Sequence, residues 1–271
     1  MDSLKVGDIV IRKSYGGDIH FKIADIANRV NSKKTYLLKG VLVRIIADSD
    51  EYDLELKSND EVQRVMQRSL STEGMHHMSR GFSPLQILQR SRGKSGSILH
   101  IDSSAEFLEM CQKFYKDANI KSHGRVIPES EQPGHIKSLL TSTRADILVV
   151  TGHDGLKKNA VKLNSLDSYR NSRYYIQSVI EARKYEPSFE KLCVFSGACQ
   201  SYYEGIMEAG ANFASSPGRI LIHALDPAKV GDRIALTDSR VFVTPEQIAR
   251  LTQSGSKGIG GLKTRGHYVL Q

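Results

Sequence analysis

Between residues 4 and 56, short runs of β-branched and aromatic residues recur: VGDIVIRKSY, DIHFKIADIA, KTYLLKG and VLVRIIADS. Gly16-Gly17, Asn31-Ser32 and Gly40 separate them. Such runs fit a pleated, half-buried surface, and the glycines and asparagine supply tight turns. This pattern predicts a small SH3-like β-barrel over residues 1–57, a type of fold that commonly serves as an interaction module. Residues 58–96 change character. They are polar and basic, with room for a helix early on, and they end in Arg90-Ser91-Arg92-Gly93-Lys94-Ser95-Gly96, which reads as an exposed linker.

From Ser97 onward, apolar strands interleave with helical patterns. SILHID is a strand, and Ser103 with Glu106 forms a capping box ahead of Phe107, Met110, Cys111, Phe114 and Ala118 at helical spacing. A weaker strand is expected at 124–127 and a helix at 136–140. DILVV at 146–150 and LCVFS at 192–196 are strongly apolar strands, with a helix over 165–185 between them. A further helix is expected from Cys199 to about Ala209, and a strand at 219–225 (RILIHAL). Thr244-Pro245-Glu246-Gln247 supplies a cap, a first-turn proline and a Glx at the third position. Apolar strands alternating with helices predict a mostly parallel sheet covered on both faces over residues 97–271, an α/β fold.

Composition narrows the classes. A chain of 271 residues with 39% hydrophobic and 25% charged content is expected to build one good-sized core and a smaller one. No apolar run reaches the ~18–20 residues of a membrane span. The N-terminus lacks a basic stretch followed by an apolar one, so a cytoplasmic protein without a membrane partner is expected. The net charge of +8 does not come with aromatic residues interleaved among the basic ones, so nucleic acid is not the expected partner. The three cysteines, Cys111, Cys193 and Cys199, lack both disulfide arithmetic and metal spacing. No motif calls for a metal or cofactor. Cys111 and Cys193 fall on the apolar face of a helix and mid-strand, where they read as core.

Ligands of open parallel sheets bind beyond the carboxyl ends of the strands. Strand 146–150 runs into Thr151-Gly152-His153-Asp154-Gly155, and strand 192–196 into Gly197-Ala198-Cys199-Gln200-Ser201. If the two strands are parallel neighbours, His153 and Cys199 face each other as a Cys–His hydrolase pair. Cys199 at a helix start would have its thiolate favoured by the dipole, and His153 would carry the proton. The N–H of Cys199, with that of Asp154 or Gly155, is the candidate oxyanion hole. The side chain of Asp154 either orients His153 or shapes the loop.

Cys199 follows His153 by 46 residues in an Ala-Cys-Gln context, which is the arrangement of caspase-type proteases. The local residues depart from theirs: Gly197 replaces Gln, Ser201 replaces Gly, and Asp154 directly follows the histidine. Fold and roles carry over; aspartate specificity does not. The segments GDIVIRKSY, IADSD, RADILVVTGHD, GACQSYYE, AGANFASSP, IHALDP and GIGGLKTRG, spanning residues 7–266, resemble the YabG family of sporulation-specific cysteine proteases. The resemblance implies a mother-cell protease with His153 and Cys199 as catalytic residues. It also implies that spore coat and coat-assembly proteins are trimmed after basic residues, mainly arginine, and that the enzyme processes itself.

An arginine pocket needs a buried carboxylate. Asp102, closing the first strand of the catalytic region, and Asp226, after strand 219–225, are the candidates. Arg90 and Arg92 in the linker are the candidate self-cleavage sites. Two other readings compete. One is a nucleophile-elbow amidase or amidotransferase-like hydrolase with Cys199 as the elbow and His223 as base. The other is a non-catalytic spore-coat or nucleic-acid binding protein.

Overall fold

The computed structural model describes residues 3–28, 34–58, 60, 61, 64, 93–158, 160 and 162–270. The chain divides into two compact units, Met1–Leu42 with Ile46–Ser91, and Val43–Ile45 with Arg92–Gln271. The smaller unit holds β1 (Ile9–Arg12), β2 (His20–Asn28), β3 (Lys34–Gly40), β4 (Ile46–Asp50) and β5 (Leu54–Leu56). They form one antiparallel sheet in the order β4-β3-β2-β1-β5. The predicted alternation is visible in what it buries: Val10, Phe21, Ile23, Tyr36 and Leu38. The expected strand at 41–49 is shorter than read. It pairs with β3 only from Ile46 onward, and Val43–Ile45 belongs to the larger unit.

The larger unit opens with β6 (Gly93–Lys94) and β7 (Ile98–Asp102), then α1 (Ala105–Asp117), β8 (Ser122–Val126), α2 (Gln132–Thr143) and β9 (Ile147–Val150). It continues with α3 (Ser172–Tyr185), β10 (Cys193–Ser196), α4 (Tyr203–Glu208), β11 (Phe213–Ser215) and α5 (Asp226–Leu236). Short elements complete it: β12 (Phe242–Val243), α6 (Pro245–Ala249), α7 (Gly255–Gly258), β13 (Ile259–Gly261), β14 (Thr264–Arg265) and β15 (Val269–Leu270). Six strands pair in the order β13-β11-β10-β9-β7-β8. All neighbours are parallel except the β11–β13 pair at the edge. Leu99, Ile101, Leu148, Val150 and Val194 share a core with Ile136 and Leu140 of α2 and Tyr175 and Val179 of α3. On the other face, Gly231 of α5 comes close to Ile98, Val149 and the hydroxyl of Tyr115 on α1. Helices thus flank both faces, which is why β9 and β10 read as unbroken apolar runs.

Phe195 is fully buried in the middle of β10. Phe195→Ala is expected to cost the larger unit about 3–5 kcal/mol, read as a lower denaturation midpoint with little change in the slope.

Several expected elements differ. The cap of α1 falls on Ser104, whose hydroxyl accepts the Phe107 N–H, one residue after the expected Ser103. The α6 cap is as expected, a full capping box of Thr244 and Gln247 with Pro245 in the first turn. α5 was not expected from the sequence, although its apolar residues fall at helical spacing; in the fold it is buried nearly all round, Lys229 and Asp232 included. No strand of the sheet forms at 219–225. Arg219 sits at φ +54, and among the described residues the only β-type pairing of the stretch is a bridge from His223 to Val43.

Candidate active site

The chain leaves β7 for β8 on one side and returns to β9 on the other. The carboxyl ends of β7 and β9 therefore mark the point where the strand order reverses, the favoured place for a ligand in an open α/β sheet. Asp102 ends β7, His153 follows β9, and Cys199 follows the adjacent β10. The last two loops are tied together. The Thr151 hydroxyl donates to the Gly197 carbonyl at 2.8 Å, and the Ser201 hydroxyl to the Asp154 carboxylate at 3.0 Å. Gly197 is at φ +110, where a side chain is strained. At Gly152 a Cβ would come within 2.5 Å of the Ser103 hydroxyl and 2.6 Å of the Glu129 carboxylate.

The side chain of Asp154 turns away from His153. It accepts from the Gly155 N–H, the Asn171 N–H and the hydroxyls of Ser172 and Ser201. Burial pushes its carboxyl up to about 6 against these four donors. Of the two alternatives for Asp154, the geometry corresponds to shaping the loop.

Cys199 does not open a helix, contrary to expectation. It lies in a turn, and α4 begins only at Tyr203, so no helix dipole lowers its pKa. The thiol is fully buried. Burial pushes it up to about 12, although the Ile222 N–H, 3.0 Å from Sγ, favours the thiolate.

His153 stacks on Phe107, with ring centroids 5.2 Å apart. Its carbonyl accepts from the Asn171 amide at 2.8 Å and the Tyr175 hydroxyl at 3.1 Å. Its Nδ1 lies 3.4 Å from the Ser103 hydroxyl and 4.0 Å from Glu129. The Glu129 carboxylate also accepts the His153 N–H at 2.8 Å and the Ser103 hydroxyl at 2.5 Å. Glu129 thus braces the His153 loop, a contact that sequence reasoning missed, because nothing in the stretch before α2 distinguishes it from a surface acid. Glu129→Gln keeps an acceptor but removes the charge beside the imidazole. We expect kcat to fall about 10- to 100-fold. KM should change little, and an unchanged kcat would reduce Glu129 to a loop strut.

The side chain of Arg44 packs against Asp102 at the end of β7. Arg44 is fully buried. Its Nη1 donates to Asp102 at 2.6 Å, and its Nε and Nη2 donate to the Ala224 carbonyl at 3.2 and 2.7 Å. Its guanidinium carbon lies 4.8 Å from the centroid of the Phe107 ring. Burial pushes the Asp102 carboxyl up, but Arg44, His100 and the Ser104 N–H together hold it well below the usual carboxylate range. The backbone of Arg44 is held as firmly. Its N–H donates to the Ile222 carbonyl at 3.0 Å, and its carbonyl accepts the N–H groups of both Asp154 and Cys199 at 3.2 Å. Isolated bridges pair Val43 with His223 and Ile45 with Asp154. This explains why 219–225 looks like a strand: part of it pairs with a tripeptide outside the sheet.

The two expected N–H donors, Asp154 and Cys199, thus converge on one carbonyl oxygen. Gly155 is not among them, since its N–H is bound to the Asp154 carboxylate at 2.8 Å. Asp226 is buried and accepts from the Gln253 N–H and from the N–H and hydroxyl of Ser254; Arg44 is bound by Asp102, not by Asp226. His223 accepts the Leu225 N–H on Nδ1 at 3.3 Å. Arg90 and Arg92 lie outside the described residues. Among the described residues, no group of three or more His, Cys, Asp or Glu is placed to hold a metal, and no helix is long and apolar enough to cross a membrane.

Arg44 itself was not singled out from the sequence. The available signal was a lone cation inside the apolar run Val41-Leu42-Val43-Arg44-Ile45-Ile46, where a charge requires a buried partner.

Comparison with known proteins fits this geometry. The family model described as YabG peptidase U57 matches residues 5–271. The chain is also 35% identical to the sporulation-specific protease YabG of Bacillus subtilis (strain 168), over 97% of this chain and 95% of that protein. The chain belongs to the YabG family of peptidases.

Proposed function

We propose that this peptidase is a cysteine endopeptidase of caspase-like fold that cleaves after arginine. The observation that carries the reading is the treatment of Arg44: its carbonyl rests on the Asp154 and Cys199 N–H groups while its guanidinium meets Asp102. Two backbone donors on one carbonyl are what an oxyanion hole requires, and they tighten as charge develops on the oxygen. A carboxylate at the pocket floor selects a guanidinium. Cys199 attacks the scissile carbonyl, His153 carries the thiol proton to the leaving amine, and water hydrolyses the thioester. Phe107 and the Ala224 carbonyl complete the arginine pocket.

The smaller unit, a five-stranded antiparallel sheet, is read as an SH3-like module, and the stretch after it as a linker. The name of the Bacillus subtilis relative supports a role in sporulation. Spore coat and coat-assembly proteins are the substrates, met in the mother-cell cytoplasm.

The test is a panel of fluorogenic peptides differing only in Arg, Lys or Gln before the scissile bond, paired with an arginyl chloromethyl ketone and peptide mapping. The reading expects Arg to be cut fastest and the label to sit on Cys199, not on Cys111 or Cys193. Hydrolysis without labelling of Cys199, or no preference for Arg, sinks it. The amidase alternative needs Cys199 on a strand–helix elbow, and Cys199 lies in a turn before α4.

A further inference from the structure

Arg44 is held on every side that a substrate arginine would offer. Its N–H and carbonyl both bond to the site, through Ile222 on one side and Asp154 and Cys199 on the other. Its side chain has no exposure. Val43, on the amino side, pairs antiparallel with His223. Extended backbone pairing beside the scissile residue is how a chain is aligned for cutting. A side chain that only filled a core would need none of this: an apolar residue would pack there without desolvating a charge.

From this geometry we infer that the Arg44–Ile45 peptide bond is an internal substrate, and that the enzyme processes itself there. The inference rests on the assignment of Cys199 and His153 above, and it goes further by naming the bond. Sγ of Cys199 attacks the Arg44 carbonyl carbon, and the bond to the Ile45 nitrogen breaks. The thiol proton passes through His153 to that nitrogen, leaving Ile45 as a new N-terminus. Water then hydrolyses the Arg44 thioester, which restores the thiol and leaves Arg44 with a free carboxylate. Until this occurs, Arg44 occupies the pocket that an external arginine needs. The products are residues 1–44 and 45–271, different from those of a cut in the linker after Arg90 or Arg92.

The experiment follows full-length wild type, Cys199→Ala and an Arg90→Gln/Arg92→Gln variant by intact mass under denaturing conditions. Hydrolysis of an external arginyl peptide is measured in parallel. The expected result is a split between Arg44 and Ile45 in wild type and in the linker variant, and none in Cys199→Ala. Because the bond is already seated in its own site, the rate constant should be unchanged on about 100-fold dilution. A rate that falls with dilution means cutting by a second molecule and overturns the internal placement. If the arginyl peptide is hydrolysed while the 44–45 bond persists, or only the linker is cut, the inference fails and the peptidase reading survives. If neither the chain nor the peptide is cut, both fail.

Discussion

Replacing Cys199 by alanine is expected to lower kcat/KM for arginyl peptides by about 10⁴-fold or more, and His153→Ala should do nearly the same. The double variant is scarcely worse than either single one, because a nucleophile and its proton carrier act as a unit and their losses do not add. What remains comes from the Asp154 and Cys199 backbone donors and from the arginine pocket, which both substitutions leave in place. The buried thiol, pushed up to about 12, is a poor nucleophile until its proton is taken, the role proposed for His153. His223→Ala is the control. Its Nδ1 is bound to the Leu225 N–H, and its loss should change kcat/KM far less. Steady-state kinetics on the purified variants decide the matter. Activity that survives in Cys199→Ala, or a His223 effect as large as that of His153, removes the central assignment.

The second large effect concerns Asp102. Asp102→Asn in a Cys199→Ala background, where the chain stays whole, is expected to destabilise the larger unit by about 3–5 kcal/mol, because the Arg44 charge stays buried without its partner. Replacing both, as Asp102→Leu with Arg44→Met, should recover most of that loss, since a dry apolar pair avoids the desolvation of two ions. In the active enzyme, if Asp102 is the pocket floor, the same Asp102 substitutions should abolish a preference for arginine, and the recovered double variant should stay unselective. That combination of restored stability and lost selectivity separates a pocket floor from a mere core ion pair. The pH dependence has a definite sign. The Asp102 carboxyl is held below its ordinary value of 3.8, so its contribution to stability is present above that value and is lost as the pH falls below it. Asp102→Asn should flatten this acid-side loss. A variant that stays selective for arginine would move the specificity carboxylate elsewhere.

The order of strands and helices in the larger unit was legible from residue pattern. β9 and β10 are unbroken apolar runs ending in glycine-bearing loops, and the Thr244 capping box announces α6 from local chemistry alone. The positions of His153 and Cys199 beyond two such strands followed from the same pattern, because parallel strands carry their chemistry at their carboxyl ends. What failed was whatever local pattern does not encode. α5 follows directly on an apolar run that reads as a strand, and that run, at 219–225, pairs with no strand of the sheet.

The sequence by itself determined the peptidase family and the two loops, after β9 and β10, that hold His153 and Cys199, since residue type and short-range spacing suffice for both. Only the tertiary structure decided how those loops are packed. It showed that Cys199 sits in a turn without a helix dipole, that Glu129 rather than Asp154 attends the imidazole, and that Asp102 rather than Asp226 meets an arginine. The last two are contacts between residues far apart in the chain, and Arg44 with Asp102 is the wider of them, separated by 58 positions. Such pairs are selected by burial and by the need of every buried charge and N–H for a partner, and those conditions exist only once the chain has folded.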